Sequence, residues 1–244
     1  MLSLDQCADQ YVLALAPRAE IVGVSKRATN DDSYLRALAA GLPERRATLE
    51  SVLAARASVV VTYWAGDVRL PTELARRGVS VAQIGEAHDF AGVRVNVRQV
   101  AAALDRRAAG EALIAAMDAK LAASRGAWGG ARALYLTPGG YTAGQGTLIG
   151  AMLAAAGLAS AAPGGGYAPV SLEALVLRPP AALVLGFFSD LANGRQLRSI
   201  PGQRYLDVLP PRRVIASLPG SMLGCPAWFA ADGALSLAKA RSAR

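Results

Sequence analysis

The chain has 244 residues, with 26 Lys and Arg against 18 Asp and Glu, 53% hydrophobic residues and 6% aromatic ones. That length supports one large domain or two lobes with cores of their own, and the composition excludes disorder, collagen-like repeats and disulfide-stapled mini-proteins. No apolar run reaches about 18 residues, so no transmembrane helix is expected. The formal charge of +8 is uneven: residues 1–100 carry 12 basic and 11 acidic groups, residues 125–244 carry 11 and 4. The excess is scattered as single arginines with one pair, Arg212 and Arg213. Without a basic stripe, nucleic acid is not expected as a partner; an anionic small ligand or a solvated surface suits the charge better.

In chain order, a helix at residues 8–16 leads to a strand at 20–24. Residues 48–67, TLESVLAARASVVVTYWAGD, then read as a capped helix and a buried strand, followed by a helix at 71–77 and a strand at 79–84. Residues 93–124 are rich in Ala, Leu and Arg and nearly free of breakers; as one helix they would span roughly 45–50 Å at 1.5 Å per residue, with Gly110 as a point of bending. Beyond lie a strand at 133–136, a glycine-rich loop and a helix at 147–156. Residues 171–190, SLEALVLRPPAALVLGFFSD, precede a helix near 202–208 and a strand at 213–217.

The two quoted segments are an internal repeat. They align without a gap: Thr48 with Ser171, Leu49 with Leu172, Glu50 with Glu173, Asp67 with Asp190. In each, a hydroxyl caps a short helix and a carboxylate in its first turn complements the helix dipole. An apolar run without alternation follows, as in a parallel strand buried on both faces. Alternating strands and helices predict an α/β protein with mainly parallel sheets: an N-terminal lobe at 1–92, a connecting helix at 93–124, a C-terminal lobe at 125–244 and a ligand cleft between the lobes.

Ligands of open parallel sheets bind beyond the carboxyl ends of the strands. The segments there hold Tyr63, Trp64, Tyr141, Tyr167, Phe187 and Phe188. Aromatic faces beside Gly and Asp suit a large, flat or partly apolar ligand, although any one of these rings is equally well ordinary core. The segment GGYTAGQGTLIG, residues 139–150, is too long for a dinucleotide fingerprint and has no G-K-S/T. No catalytic or metal constellation emerges. The single histidine, His88, has no partner at ligand spacing and reads as a solvated loop residue.

Two cysteines, Cys7 and Cys225, form no C-x-x-C and no zinc pattern. Each precedes an expected helix, where a helix N-terminus lowers a thiol's pKa; a small buried residue in a tight turn is the plainer reading. A disulfide between them would staple the lobes and hinder ligand exchange, so it is not expected.

Several segments carry a resemblance: SLDQCADQYVLALAPRAEIVGVS, TLESVLAARASVVVTYW, the long helical stretch, YLTPGGYTAGQGTLIGAMLAAAGL and VSLEALVLRPPAALVLG. Together they resemble the class III substrate-binding proteins of ABC importers, which deliver cobalamin, ferric siderophores or haem to a membrane permease. One departure is Ala57-Ser58, where the family usually has Pro-Asp. The resemblance implies a periplasmic, monomeric, non-enzymatic binder with its leader absent and no cofactor of its own. It implies a metal-chelate ligand, a ferric siderophore or a cobalamin-type corrinoid, with haem the least favoured. Carried over by position, Gln6, Cys7, Tyr63, Trp64, Tyr141, Tyr167 and the turn of Ser221, Met222 and Leu223 line the cleft, with Arg27 near it. Glu50 and Glu173 become the residues that dock onto an ABC permease dimer. A continuous interlobe helix further implies a rigid protein. The alternative from another class is an α/β enzyme with a cleft cysteine as nucleophile.

Overall fold

Thr48 and Ser171 cap their helices as the repeat predicts. The Thr48 hydroxyl accepts the Ser51 N–H at 3.3 Å and the Ser171 hydroxyl accepts the Ala174 N–H at 3.1 Å, each satisfying a donor that has no partner inside the helix. The computed structural model describes residues 1–64, 67–188, 203–208 and 211–242. The chain divides into two units: the first is Met1–Glu86, Ala91–Ala115 and Cys225–Trp228, the second Ala87–Phe90, Ala116–Gly224 and Phe229–Arg244.

The first unit runs β1 (Leu2–Ser3), α1 (Gln6–Leu15), β2 (Val24–Ser25), α2 (Arg36–Ala39), β3 (Glu44–Arg45), α3 (Leu49–Ala54), β4 (Val59–Thr62), α4 (Leu70–Ala75), β5 (Ser80–Gln83), α5 (Phe90–Ala103) and the start of α6 (Arg107–Ser124). Strands β1, β4 and β5 form a parallel sheet with β4 central. Val60 and Val61 are fully buried, as an apolar run with neighbours on both sides should be. Leu2, Val52, Val60, Leu70, Leu74 and Val79 pack into one core. The expected strand at 20–24 begins later than predicted. Pro17 leads into a 3₁₀ turn at Arg18–Glu20. Beyond it Val22 and Gly23 pair in parallel with β1, the Val22 N–H bonding the Met1 carbonyl at 2.9 Å and the Ser3 N–H the Gly23 carbonyl at 3.2 Å, and Val24–Ser25 pairs in parallel with β3.

The single long helix is not formed. Helix α5 stops at Ala103 and α6 begins at Arg107. Asp105 takes a left-handed backbone (φ 56°). The Arg106 N–H bonds the Ala101 carbonyl at 2.7 Å and the Asp105 N–H bonds the Ala102 carbonyl at 3.1 Å. This is a Schellman end, with an aspartate where glycine is usual. The chain then turns back, so that Arg98 pairs with Glu111 at 2.7 Å. Gly110 is the contact point rather than a bend: a Cβ there would lie 2.5 Å from the Ala101 Cβ, so its absence lets the two helices close. Rigidity argued from one continuous helix therefore loses its basis.

In the second unit follow β6 (Arg132–Leu136), β7 (Tyr141–Ala143), α7 (Leu148–Ala155), β8 (Ala159–Ser160), β9 (Tyr167–Pro169), α8 (Leu172–Leu177), β10 (Ala182–Gly186), α9 (Gln203–Val208), β11 (Val214–Leu218), α10 (Gly220–Leu223) and α11 (Ala230–Ser242). A parallel sheet has the order β11-β10-β6-β8, and every residue of β10 is buried. Leu134, Leu136, Leu175, Leu183, Leu185 and Phe188 form its core. Gly186 is required by contact, since a Cβ there would lie 2.1 Å from the Tyr135 hydroxyl oxygen. The antiparallel β7–β9 ribbon is absent from the sequence reading, which has only a glycine-rich loop between the strand at 133–136 and the helix at 147–156. Asp190, the last aligned residue of the repeat, and Gly202, near the expected helix start, lie outside the described residues.

Candidate ligand-binding site

In the first unit the parallel order of β1, β4 and β5 brings their carboxyl ends to one edge. Asp5 organises that edge. One carboxylate oxygen caps α1, accepting the N–H groups of Cys7 at 3.1 Å and Ala8 at 2.9 Å. The other accepts the Thr62 hydroxyl at 3.1 Å and the backbone N–H groups of Tyr63 at 2.6 Å and Trp64 at 3.0 Å. A single side chain thus fixes both the start of α1, where Gln6 and Cys7 lie, and the Tyr63–Trp64 turn. The Tyr63 hydroxyl donates to the Glu86 carboxylate beyond β5. Asn96 of α5 holds that neighbouring turn through both its amide atoms, bonding Gly85 N–H at 2.9 Å and C=O at 2.8 Å. Trp64 is left 74% exposed.

Behind this edge, Asp9 on α1 is fully buried. It accepts hydrogen bonds from the Ser3 hydroxyl and from both the N–H (2.8 Å) and hydroxyl (2.6 Å) of Ser25, joining the ends of β1 and β2. Burial raises its pKa above the ordinary carboxylate value, against the lowering effect of those bonds. Arg27, expected near the ligand, forms an ion pair with Asp32 at 2.9 Å.

Cys7 and Cys225 form a disulfide, against expectation. The objection that it would staple the two lobes fails because Cys225–Trp228 packs as part of the first unit. The Tyr11 hydroxyl donates to the Pro226 carbonyl at 2.6 Å, and the Tyr11 ring meets Trp228 edge-on at 5.2 Å. With both sulfurs bonded, neither cysteine is available as a nucleophile, and the cysteine-enzyme alternative loses its reacting group. As a ligand contact Cys7 could offer only a buried disulfide.

In the second unit, Tyr141 and Tyr167 stand on the β7–β9 ribbon, diagonal to each other in its register (Tyr141 opposite Pro169, Ala143 opposite Tyr167). They are 52% and 69% exposed. Thr137 closes the turn into the ribbon, its hydroxyl accepting the Tyr141 N–H at 3.1 Å. Tyr205 supports the ribbon from below by donating to the Val170 carbonyl at 2.8 Å. Ser221, Met222 and Leu223 are half-buried in the single turn α10, directly after β11. Phe187 has a left-handed backbone (φ 65°) at the end of β10. Phe188 points inward and is core. His88 lies exposed in a loop. Among the described residues, no group of three or more His, Cys, Asp or Glu could hold a metal ion, and no helix is long and apolar enough to cross a membrane.

Asp5 and Asn96 are absent from the sequence reading. Asp5 had a signal, an aspartate immediately before an amphipathic helix, which is a cap position. Its second set of bonds, to a strand end far along the chain, had none. Glu50 and Glu173 are exposed on α3 and α8, away from these edges in sequence and on the helices that precede the central strands.

The fold is shared with solved structures. The periplasmic haem-binding protein RhuT from Roseiflexus sp. RS-1 is 24% identical with a TM-score of 0.74, over 98% of this chain and 96% of that one. The periplasmic haem-binding protein BhuT, solved with two haems, is 25% identical with a TM-score of 0.71 over 98% of each chain. The vitamin B12-binding protein BtuF of Vibrio cholerae is 17% identical with a TM-score of 0.64, over 99% and 96%. No curated protein matches the chain in sequence. The periplasmic binding protein family matches residues 2–187, over both copies of the capped helix and its strand up to the end of β10. The chain belongs to the periplasmic binding protein family.

Proposed function

We propose that the chain is the extracytoplasmic substrate-binding protein of an ABC importer and that its cargo is a metal chelate, with a planar tetrapyrrole such as haem first in order. The observation that carries this reading is the set of exposed rings at the sheet ends. Trp64, Tyr141 and Tyr167 are each more than half exposed on backbone that hydrogen bonds hold in place. Rings in such positions contribute little to a core and suit a flat, partly apolar ligand. Phenols can bind ferric iron as phenolates, and Tyr63, Tyr141 and Tyr167 supply three. The haem-binding proteins among the solved relatives move haem ahead of the corrinoid and ferric siderophore that the sequence alone favours. A buried disulfide accords with an oxidising compartment.

For delivery, Glu50 and Glu173 are the docking residues. Each lies one position into a short capped helix, exposed, with no ion-pair partner among the described residues. Exposed apolar residues share those helices: Leu53 on α3, Val176 and Leu177 on α8. A carboxylate beside an uncovered apolar side chain is a surface suited to a basic partner with an apolar rim.

A thermal-shift screen against haem, cobalamin, cobinamide and ferric siderophores tests the cargo. The true ligand at 100 times its Kd adds about 2.7 kcal/mol to stability. A shift with haem alone supports the order given; a shift only with a corrinoid or a siderophore replaces haem; no shift with any of them removes the metal-chelate reading.

A further inference from the structure

The second unit holds a cavity of about 290 Å³ between α8 and the edge of its sheet. Ligand pockets run from roughly 300 to 1,000 Å³, so it is the size for a single-ring molecule. Its walls are mostly apolar, with Leu134, Val170, Leu175 and three prolines. Two features are not those of plain packing. Thr142, 1% exposed, lines the cavity, and its hydroxyl has no hydrogen-bond partner. A hydroxyl both donates and accepts, and leaving one buried and unpaired is costly. The cavity is also lined by Arg132 and Arg178, both exposed, and no acidic residue lines it among the described residues. Arg132 in addition borders an open groove with Arg212 and Arg213, so the field at this end of the unit is positive. Here the scattered basic excess of residues 125–244 acquires a location.

We propose that this cavity binds a small hydroxylated aryl monocarboxylate: the ring lies against the apolar walls, the carboxylate meets Arg132 and Arg178, and the ligand hydroxyl pairs with Thr142. The site lies within the second unit and is independent of the cargo reading above. Flat proline faces favour a ring, guanidinium groups take a carboxylate in forked geometry, and the buried threonine accounts for a second polar group on the ligand.

The test is ligand-observed NMR titration of the whole protein with para-hydroxybenzoate, benzoate and para-hydroxybenzyl alcohol up to millimolar concentration. Para-hydroxybenzoate binds about fivefold more tightly than benzoate, as one hydrogen bond predicts, and the uncharged alcohol binds more weakly than either. Thr142→Val, which removes no existing hydrogen bond, erases the difference between the two acids and leaves benzoate unchanged. Arg132→Ser with Arg178→Ser weakens both acids about tenfold. Ala174→Trp, on the exposed face of α8 at the cavity wall, blocks binding. Absence of saturable binding, a hydroxyl preference that survives Thr142→Val, or binding that survives Ala174→Trp overturns the proposal.

Discussion

Asp5 and Tyr63 lie 58 residues apart, and the Asp5 carboxylate accepts the Tyr63 backbone N–H at 2.6 Å. The same carboxylate caps α1 with its other oxygen, so its two functions can be separated chemically. In Asp5→Asn the amide oxygen still caps the helix, asparagine being as good a cap as aspartate. The amide nitrogen then faces the N–H groups of Tyr63 and Trp64, donor against donor. The variant is expected to stay folded, to change the fluorescence of Trp64 and to bind the cargo about tenfold more weakly, as losing a charge-assisted bond predicts. Asp5→Ala loses the cap as well and about 1 kcal/mol more stability. Equal affinity in Asp5→Asn and the parent would show that the turn is held by other means.

The disulfide joins residues 218 apart in sequence, and so constrains nearly the whole unfolded chain. Replacing both cysteines by serine is expected to cost about 2–4 kcal/mol, read as a lower midpoint in urea with a steeper slope, because the unfolded chain without the cross-link exposes more surface. The parent should react with no equivalent of a thiol reagent, folded or denatured, until it is reduced, and with two after reduction in denaturant. Two rapidly reacting thiols before reduction would contradict the pairing and restore the cysteines as candidates for chemistry.

Asp9 gives a pH dependence with a definite sign. Its folded pKa is raised above 3.8 by burial, so between 3.8 and the raised value the folded chain holds a proton that the unfolded chain has released. Stability from this group is therefore complete below the unfolded value and is lost as pH rises through the folded one. Asp9→Asn cannot titrate. Denaturation from acid pH to neutrality should show the parent losing stability relative to the variant as pH rises. Parallel curves would mean that Asp9 ionises alike in both states.

Much of this architecture is written in local chemistry. The two hydroxyl caps and the apolar runs behind them predict α3–β4 and α8–β10, because a cap and a buried strand are each decided by a few adjacent residues. The β7–β9 ribbon is different. Its partners are a glycine-rich stretch and a Tyr-Ala-Pro segment without strand alternation, and the pairing is settled by Tyr205 beneath it and the Val170–Gly140 bond beside it. The break after Ala103 is not legible either: aspartate visits the left-handed region more readily than most residues but does not mark a helix end by itself, and the contact that rewards the turn, Gly110 against Ala101, needs both helices in place. At the candidate site the exposed aromatics are legible as residue types beyond strand ends. The carboxylate that fixes Tyr63 and Trp64 is not, because Asp5 acts across 58 and 59 residues; nor is the Asn96 amide that fixes the neighbouring Gly85 turn, a pairing that only the fold brings about. The disulfide is hidden in the sequence for the same reason: Cys225–Trp228 returns to the first unit from far along the chain.

Docking through Glu50 and Glu173 predicts a separation of binding from delivery. Glu50→Arg with Glu173→Arg should keep the parent's cargo affinity and lose transport in cells or vesicles carrying the cognate permease, because two attractive contacts become repulsive. Normal uptake by the double variant would return both residues to helix-dipole stabilisation, worth about 0.3–1 kcal/mol each.

The central claim is that the rings at the sheet ends hold a metal tetrapyrrole. Titration of the parent with ferric haem, followed by absorbance and calorimetry beside Trp64→Ala, Tyr141→Ala and Tyr63→Phe, tests it most directly. The account predicts saturable binding with a shifted Soret band. It predicts losses of about 2 kcal/mol on truncating Trp64 or Tyr141, and an altered iron spectrum in at least one of the two tyrosine variants. Haem binding by the parent that all three variants retain within twofold, with unchanged spectra, would contradict it.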